Sequence, residues 1–290
     1  MVKKILVLGA NGMLGGSLFR YFSSKPEYEV LGTVRSPEAA RLLADQGFGN
    51  TVANIDVISQ KVLSDVFSFQ PDIVFNCIGL IKQLKESKSP VSAIDVNALL
   101  PHRLAELCDF HNAKLIHFST DCVFSGEVGN YLESDVPDSL DIYGRSKLLG
   151  EVDYGNHLTL RTSIIGHEID SNLSLVDWFL SQSERVKGYS NAVFSGLPTV
   201  YMAEVIEKYI FPNEQLKGLL HLSVSPIDKY KLLSIIKDVY SKEIDIDEYP
   251  DFTIDRSLNS SHFQLLTGFT SLSWEELIVK MHEEYVRYFK

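Results

Sequence analysis

Short apolar runs rich in β-branched residues recur through roughly the first 165 residues, at 4 to 8, 29 to 34, 51 to 54, 73 to 76, 114 to 118 and 158 to 162. Runs of this length, bounded by turn residues, suit strands that are covered on both faces. Between them lie longer stretches of helical period; in the one from Val91 to His111, Ile94, Leu99, Leu104, Leu107 and Cys108 recur at helical spacing. The alternation predicts right-handed βαβ units and hence an α/β fold, a doubly wound parallel sheet of Rossmann type.

After Gly166 the rhythm changes. Helical segments are predicted around Leu173 to Ser183, Val200 to Ile210, Pro226 to Tyr240 and Ser273 to Phe289, joined by links punctuated with proline and glycine. We therefore expect residues 1–166 to form the Rossmann domain and residues 167–290 a smaller, mostly helical substrate-binding domain, with 189–212 able to return to the first.

Composition narrows the function classes. Of the 290 residues, 27 are Lys or Arg and 38 are Asp or Glu, a formal charge of −11, which is the wrong sign for a nucleic-acid binder. Cys77, Cys108 and Cys122 are scattered without metal spacing, and His102, His111, His117 and His282 show none either, so no disulfide, zinc site or other metal is expected. The opening run Ile5-Leu6-Val7-Leu8 is broken by Gly9 too soon for a signal peptide or membrane span, and the expected compartment is the cytoplasm.

The first strand runs directly into Gly9-Ala10-Asn11-Gly12-Met13-Leu14-Gly15, a glycine at every third position, followed by a helix. Such a turn lets backbone approach a pyrophosphate, and the free amides and dipole of the helix favour the negative charge. A tight strand-to-helix link with no ligand would use the same glycines. The second strand ends Thr33-Val34-Arg35-Ser36, with an arginine and no acid to bond a ribose 2′-hydroxyl, which favours NADP(H) over NAD. Asp56, beside Val57 beyond the third strand, could accept from an adenine amino group or cap a helix.

Tyr143 and Lys147 lie four residues apart in Tyr143-Gly144-Arg145-Ser146-Lys147, one helical turn, which places both on one face. A neighbouring ammonium is expected to lower the tyrosine pKa and make Tyr143 a usable proton donor. Some twenty residues earlier the fifth strand ends His117-Phe118-Ser119-Thr120-Asp121-Cys122, where hydroxyls face the crevice in which α/β sheets bind ligands. Ser119 or Thr120 can polarise a carbonyl oxygen there.

Together, Gly9 to Gly15, Ser119 to Gly126, Tyr143 to Glu151 and Leu160-Arg161-Thr162-Ser163 resemble the extended short-chain dehydrogenases, in particular the group similar to dTDP-4-dehydrorhamnose reductase. The resemblance covers the first domain well and the rest weakly. It implies that Thr120, Tyr143 and Lys147 are catalytic, with Tyr143 and Lys147 also at the cofactor, and that hydride passes to a 4-keto-6-deoxy sugar carried on a nucleotide. Gly9, Asn11, Gly12, Met13, Leu14, Gly15, Arg35, Asp56, Val57, Cys77, Ile78, Gly79, Asn97 and Ser119 complete the expected cofactor contacts. Expected substrate contacts are Lys82, Gln83, Asp121, Cys122, Arg161 and Arg256, with Arg185 as a further cation for a diphosphate.

Two departures bear on the substrate: Cys122 stands where the family usually has tyrosine, and Asn76 to Gln83 is more similar to reductases of other deoxy or amino sugars in bacterial surface polysaccharides. Related dehydratases carry a glutamate at the position of Cys122, so elimination of water is not expected. A non-catalytic NADP-binding regulatory subunit and a combined epimerase and reductase are the alternatives. A homodimer would be in keeping with the family.

Overall fold

The computed structural model describes residues 2–81, 89–169 and 174–290. A seven-stranded sheet forms the larger part of one compact unit: β1 (Lys3–Leu8), β2 (Tyr28–Thr33), β3 (Thr51–Val52), β4 (Ile73–Asn76), β5 (Lys114–Thr120), β6 (Leu158–Thr162) and β10 (Gly218–His221), in the order β10-β6-β5-β4-β1-β2-β3. The first five are parallel, with β1 bonded to both β2 and β4. Ile5, Leu6, Val7 and Leu8 are all fully buried, as a strand covered on both faces must be.

On one side of the sheet, Leu6, Leu8 and Val74 pack with Leu63, Phe67, Leu100, Leu104 and Cys108. On the other, α1 (Met13–Ser23) presents Phe22, which stacks on Phe75 of β4 with ring centroids 5.6 Å apart. Strand order reverses between β1 and β4, the point at which doubly wound sheets open a crevice beyond their carboxyl ends.

The turn after β1 is built there. Gly9 has φ +82°, which only glycine adopts freely, and Ala10 N–H donates to the Thr33 carbonyl at 2.9 Å, tying the turn to β2. Gly15 lies against the Gly9 carbonyl so closely that a Cβ would collide with it, whereas a Cβ on Gly12 would meet the same oxygen at 3.5 Å, an ordinary contact.

By compactness the chain divides into one unit of residues 1–123, 139–160 and 214–219 and another of 124–138, 161–213 and 220–290. The chain thus passes between units several times. Residues 214–219 lead into and begin β10, a strand the apolar pattern did not reveal. The segment 189–212 lies in the second unit.

That unit holds the expected helices: α7 (Leu175–Ser181), α8 (Thr199–Val205) with a π-helical turn Ile206–Ile210, α9 (Lys229–Val239) and α11 (Trp274–Tyr288), joined by α10 (Ser261–Thr267). It also holds a three-stranded sheet, β11 (Ile227–Asp228), β8 (Val186–Phe194) and β12 (Ile246–Asp255), which the pattern did not reveal. The reason is visible in β12, whose exposed positions outnumber its half-buried ones and leave no clean alternation.

Two predictions follow from this packing. Gly15→Ala should lower Tm strongly, by the equivalent of about 2 kcal/mol or more, and Gly12→Ala only slightly; equal losses on thermal unfolding would refute the assigned contact. Burial lowers the pKa of His117 well below the ordinary 6.5, of His221 to about 4, and of His157 in the same direction. The fold favours the neutral imidazoles, so their stabilisation is complete above about pH 6.5 and is lost as pH falls toward 4. Tm should therefore decline between pH 6.5 and 4.5; a flat profile in that window would count against it.

Candidate active site

Within the first unit, the carboxyl ends of β1, β4 and β5 and the helix α6 (Ile142–Leu149) bring the predicted residues together. Helix α1 starts at Gly12 with no side-chain cap and no acid in its first turn. Among the described residues no side chain caps this end, and Asn11, Gly12, Met13, Leu14 and Gly15 suit a bound phosphate. Gly9 N–H donates to Thr33 Oγ1 at 3.3 Å, and a Cβ at Gly9 would meet the Ile78 side chain at 3.1 Å and the Cys77 carbonyl at 3.5 Å, so the glycine turn and Cys77-Ile78-Gly79 are neighbours.

Arg35 is exposed just past β2, on the turn before Ser36 caps α2 (Pro37–Asp45). Asp56 is exposed, and its carboxylate accepts from Ile58 N–H at 3.1 Å in a local turn; Ser59 takes the N-cap position of α3 (Gln60–Val66). Val57 packs on the hydrophobic core.

The segment after β4 is gripped by two amide side chains. Asn76 Oδ1 accepts from Ile78 N–H at 3.2 Å, while Asn76 Nδ2 bonds His117 Nδ1 at 3.1 Å. Asn97 accepts from Leu80 N–H at 2.8 Å and donates to Leu80 O at 3.1 Å. It also donates to Ser146 Oγ at 3.2 Å, on the helix that carries Tyr143 and Lys147. Asn97 lies in a π-helical turn, Ile94–Leu99, between α4 (Pro90–Ala93) and α5 (Leu100–Phe110); the wide turn lies where the side chain serves two elements at once.

At the end of β5 the hydroxyls have different partners. Ser119 Oγ donates to Glu151 Oε1 at 2.6 Å. Thr120 Oγ1 accepts Cys122 N–H at 3.1 Å, donates to Asp121 Oδ1 at 3.1 Å, and acts on the Tyr143 phenol. Of the two hydroxyls, Thr120 is therefore the one placed beside the tyrosine. Asp121 is buried and Cys122 half-buried in a turn of 3-10 helix after the strand.

Lys147 is 5% exposed, and its ammonium donates to the Phe118 carbonyl at 2.6 Å. Burial lowers its pKa to about 8, against the pull of the Glu151 carboxylate, which raises it. The expectation that Lys147 would lower the Tyr143 pKa does not hold. Burial pushes the Tyr143 phenol up, with Cys122, Asp121 and Asp141 adding to the rise and only the Thr120 hydrogen bond opposing it. A phenolate costs more to desolvate than a phenol, so Tyr143 stays protonated across the neutral range. Burial likewise keeps the Cys77 thiol protonated.

The expected substrate residues are placed unevenly. Lys82 and Gln83 lie outside the described residues. In the second unit, Arg161 is buried, with its guanidinium 5.4 Å from the centre of the Phe124 ring and 3.4 Å from His221 Nε2. Arg256 donates to the Phe124 carbonyl at 3.0 Å, and Arg185 pairs with Asp245 at 3.2 Å and Asp247 at 3.4 Å. Residues without an assigned role in the sequence reading also enter the site: Glu151, Ser146, Asn76 and His117. Glu151 had a signal, since it falls one further helical step beyond Lys147; the others are marked only by contacts between strands and helices.

Among the described residues no cluster of His, Cys, Asp and Glu could hold a metal, and no helix is long and apolar enough to cross a membrane. The chain is 34% identical over 147 residues to the probable low-salt glycan biosynthesis reductase Agl14 of Haloferax volcanii, a match spanning 50% of this chain and 46% of that protein. It is 26% identical over 234 residues to dTDP-4-dehydrorhamnose reductase of Aggregatibacter actinomycetemcomitans, 77% of this chain and 74% of the other. Methionine adenosyltransferase 2 subunit beta of Danio rerio is 27% identical over 260 residues, 82% of this chain and 74% of that one. In fold it matches dTDP-4-dehydrorhamnose reductase of Bacillus anthracis, solved in complex with NADP, with a TM-score of 0.79, 21% identity and coverage of 97% and 99%. The RmlD substrate binding domain pattern matches residues 3–286, which establishes that the chain belongs to that family.

Proposed function

We propose that this protein is an NADP-dependent reductase of a keto group on a nucleotide-linked sugar, a 4-keto-6-deoxy sugar in keeping with its relatives. The observation that carries the reading is the placing of Thr120, Tyr143 and Lys147 at the end of β5, with the Lys147 ammonium on the Phe118 carbonyl at 2.6 Å, in the same unit as an uncapped glycine turn. The reduced nicotinamide supplies the hydride when bound. Thr120 and Tyr143 hydrogen-bond the substrate carbonyl oxygen, and the Tyr143 phenol gives its proton to the alkoxide as it forms. The Lys147 ammonium, held by Phe118 O, stabilises the phenolate that remains and bonds the nicotinamide ribose. Arg35, exposed beyond β2 with no acid beside it in Thr33 to Ser36, suits a 2′-phosphate.

The similarity to a methionine adenosyltransferase subunit supports a second reading, an NADP-binding subunit without turnover. Supplying NADPH with a panel of 4-keto nucleotide sugars separates the two: a fall in NADPH absorbance is expected, and none with any sugar would favour the subunit. Tyr143→Phe should cut turnover by about 10²-fold or more while NADPH still binds, and a fully active variant would sink the mechanism. Arg35→Glu should weaken NADPH binding by at least about tenfold and leave NADH binding little changed. Equal losses for both, measured by fluorescence titration, would remove the assignment.

A further inference from the structure

The end of β5 is held by two adjacent rungs. Phe118 O takes the Lys147 ammonium at 2.6 Å, and the next residue, Ser119, gives its hydroxyl to Glu151 at 2.6 Å. Lys147 and Glu151 are themselves four residues apart, on either side of Gly150, the C-cap of α6. Among the described residues, four groups act electrostatically with Lys147 or share its helical face: Cys77 after β4, His117 on β5, Tyr143 on α6, and Glu151. Burial keeps the first three neutral, as thiol, imidazole and phenol. That leaves the Glu151 carboxylate as the counter-charge to an ammonium taken out of water, a group that is costly to bury unpaired.

We infer that Glu151 is a positioning residue with two tasks: it is the counter-charge that keeps Lys147 cationic beside Tyr143, and it fixes the Ser119 hydroxyl so that Thr120 alone polarises the substrate carbonyl. Glu151 touches neither substrate nor cofactor in this assignment; it acts through Lys147 and Ser119. The kinetic part rests on the reductase reading, and the electrostatic part does not.

Glu151→Gln tests it, because the amide oxygen still accepts from Ser119 but the charge is gone. In the wild type, Lys147 is a base with its pKa lowered from 10.5 to about 8, so stability falls as pH drops toward 8 and then levels. Without the carboxylate its pKa falls further, and the loss continues below 8. The Tm gap between wild type and Glu151→Gln should therefore widen from pH 8 to pH 6.5. The alkaline limb of the pH profile for NADPH-dependent turnover should also move down by about one pH unit, close to tenfold in rate at a fixed pH on that limb. Ser119→Ala should leave that limb where it is.

Parallel Tm curves together with an unmoved limb would overturn the inference, since a purely structural hydrogen bond costs the same at every pH in that window. Should the wild type reduce none of the sugars, the reductase reading fails while the Tm comparison still decides the role of Glu151. If Glu151→Gln does not fold, the double variant Lys147→Met, Glu151→Gln decides: folding of the double variant supports the inference, and its failure beside a folded Lys147→Met overturns it.

Discussion

The arrangement turns on an ammonium taken out of water. Lys147 is almost wholly enclosed, and a charge in that position has to find a dipole and a counter-charge within reach. The Phe118 carbonyl at the end of β5 supplies the first and Glu151 the second. Phe118 O is part of the strand and Glu151 is held by the Ser119 hydroxyl on the next residue, so α6 is fastened to the end of β5 at both. Tyr143, one turn earlier on the same helix, is thereby kept against Thr120. The lysine is thus a structural fastening as well as a chemical group, and its burial is the reason that a half-buried tyrosine keeps a defined place.

Around this fastening the irregular backbone is secured by side-chain amides. Asn76 and Asn97 satisfy the N–H groups of Ile78 and Leu80 and the Leu80 carbonyl, polar groups that have no strand or helix to pair with beyond the end of β4. Asn97 extends the same support to Ser146, so the loop after β4 and the helix with the tyrosine and lysine share one anchor. Loops that carry chemistry need this kind of support, since a rigid scaffold beneath them is what gives their atoms fixed positions.

The second unit encloses a buried charge of its own. Phe124 stacks on Tyr131 at 4.1 Å, and the Tyr131 hydroxyl accepts from Gly126 and Val128 N–H, which closes a turn rich in left-handed residues. Arg161 and His221 lie beneath it, with Glu133 accepting His221 N–H at 2.8 Å. Arg161, which reads along the chain as a diphosphate ligand, lies against a ring and an imidazole.

The strands of the first unit were legible in the sequence because strands covered on both faces are rich in apolar residues, and β1, β2, β4, β5 and β6 each begin and end within two residues of the expected limits. The glycine turn was legible because a collision with the Gly9 carbonyl forbids any other residue at Gly15. The four-residue step of Tyr143 and Lys147 was legible as one helical face. The half-exposed strands β8 and β12 left no such trace, because residues facing solvent carry no periodic constraint. Tertiary structure alone decided which hydroxyl serves which partner, that Ser119 turns to Glu151 and Thr120 to Tyr143. It also decided that burial, and not the neighbouring ammonium, governs the tyrosine's proton. Both depend on desolvation and on contacts between residues some thirty positions apart, quantities that exist only once the chain has folded.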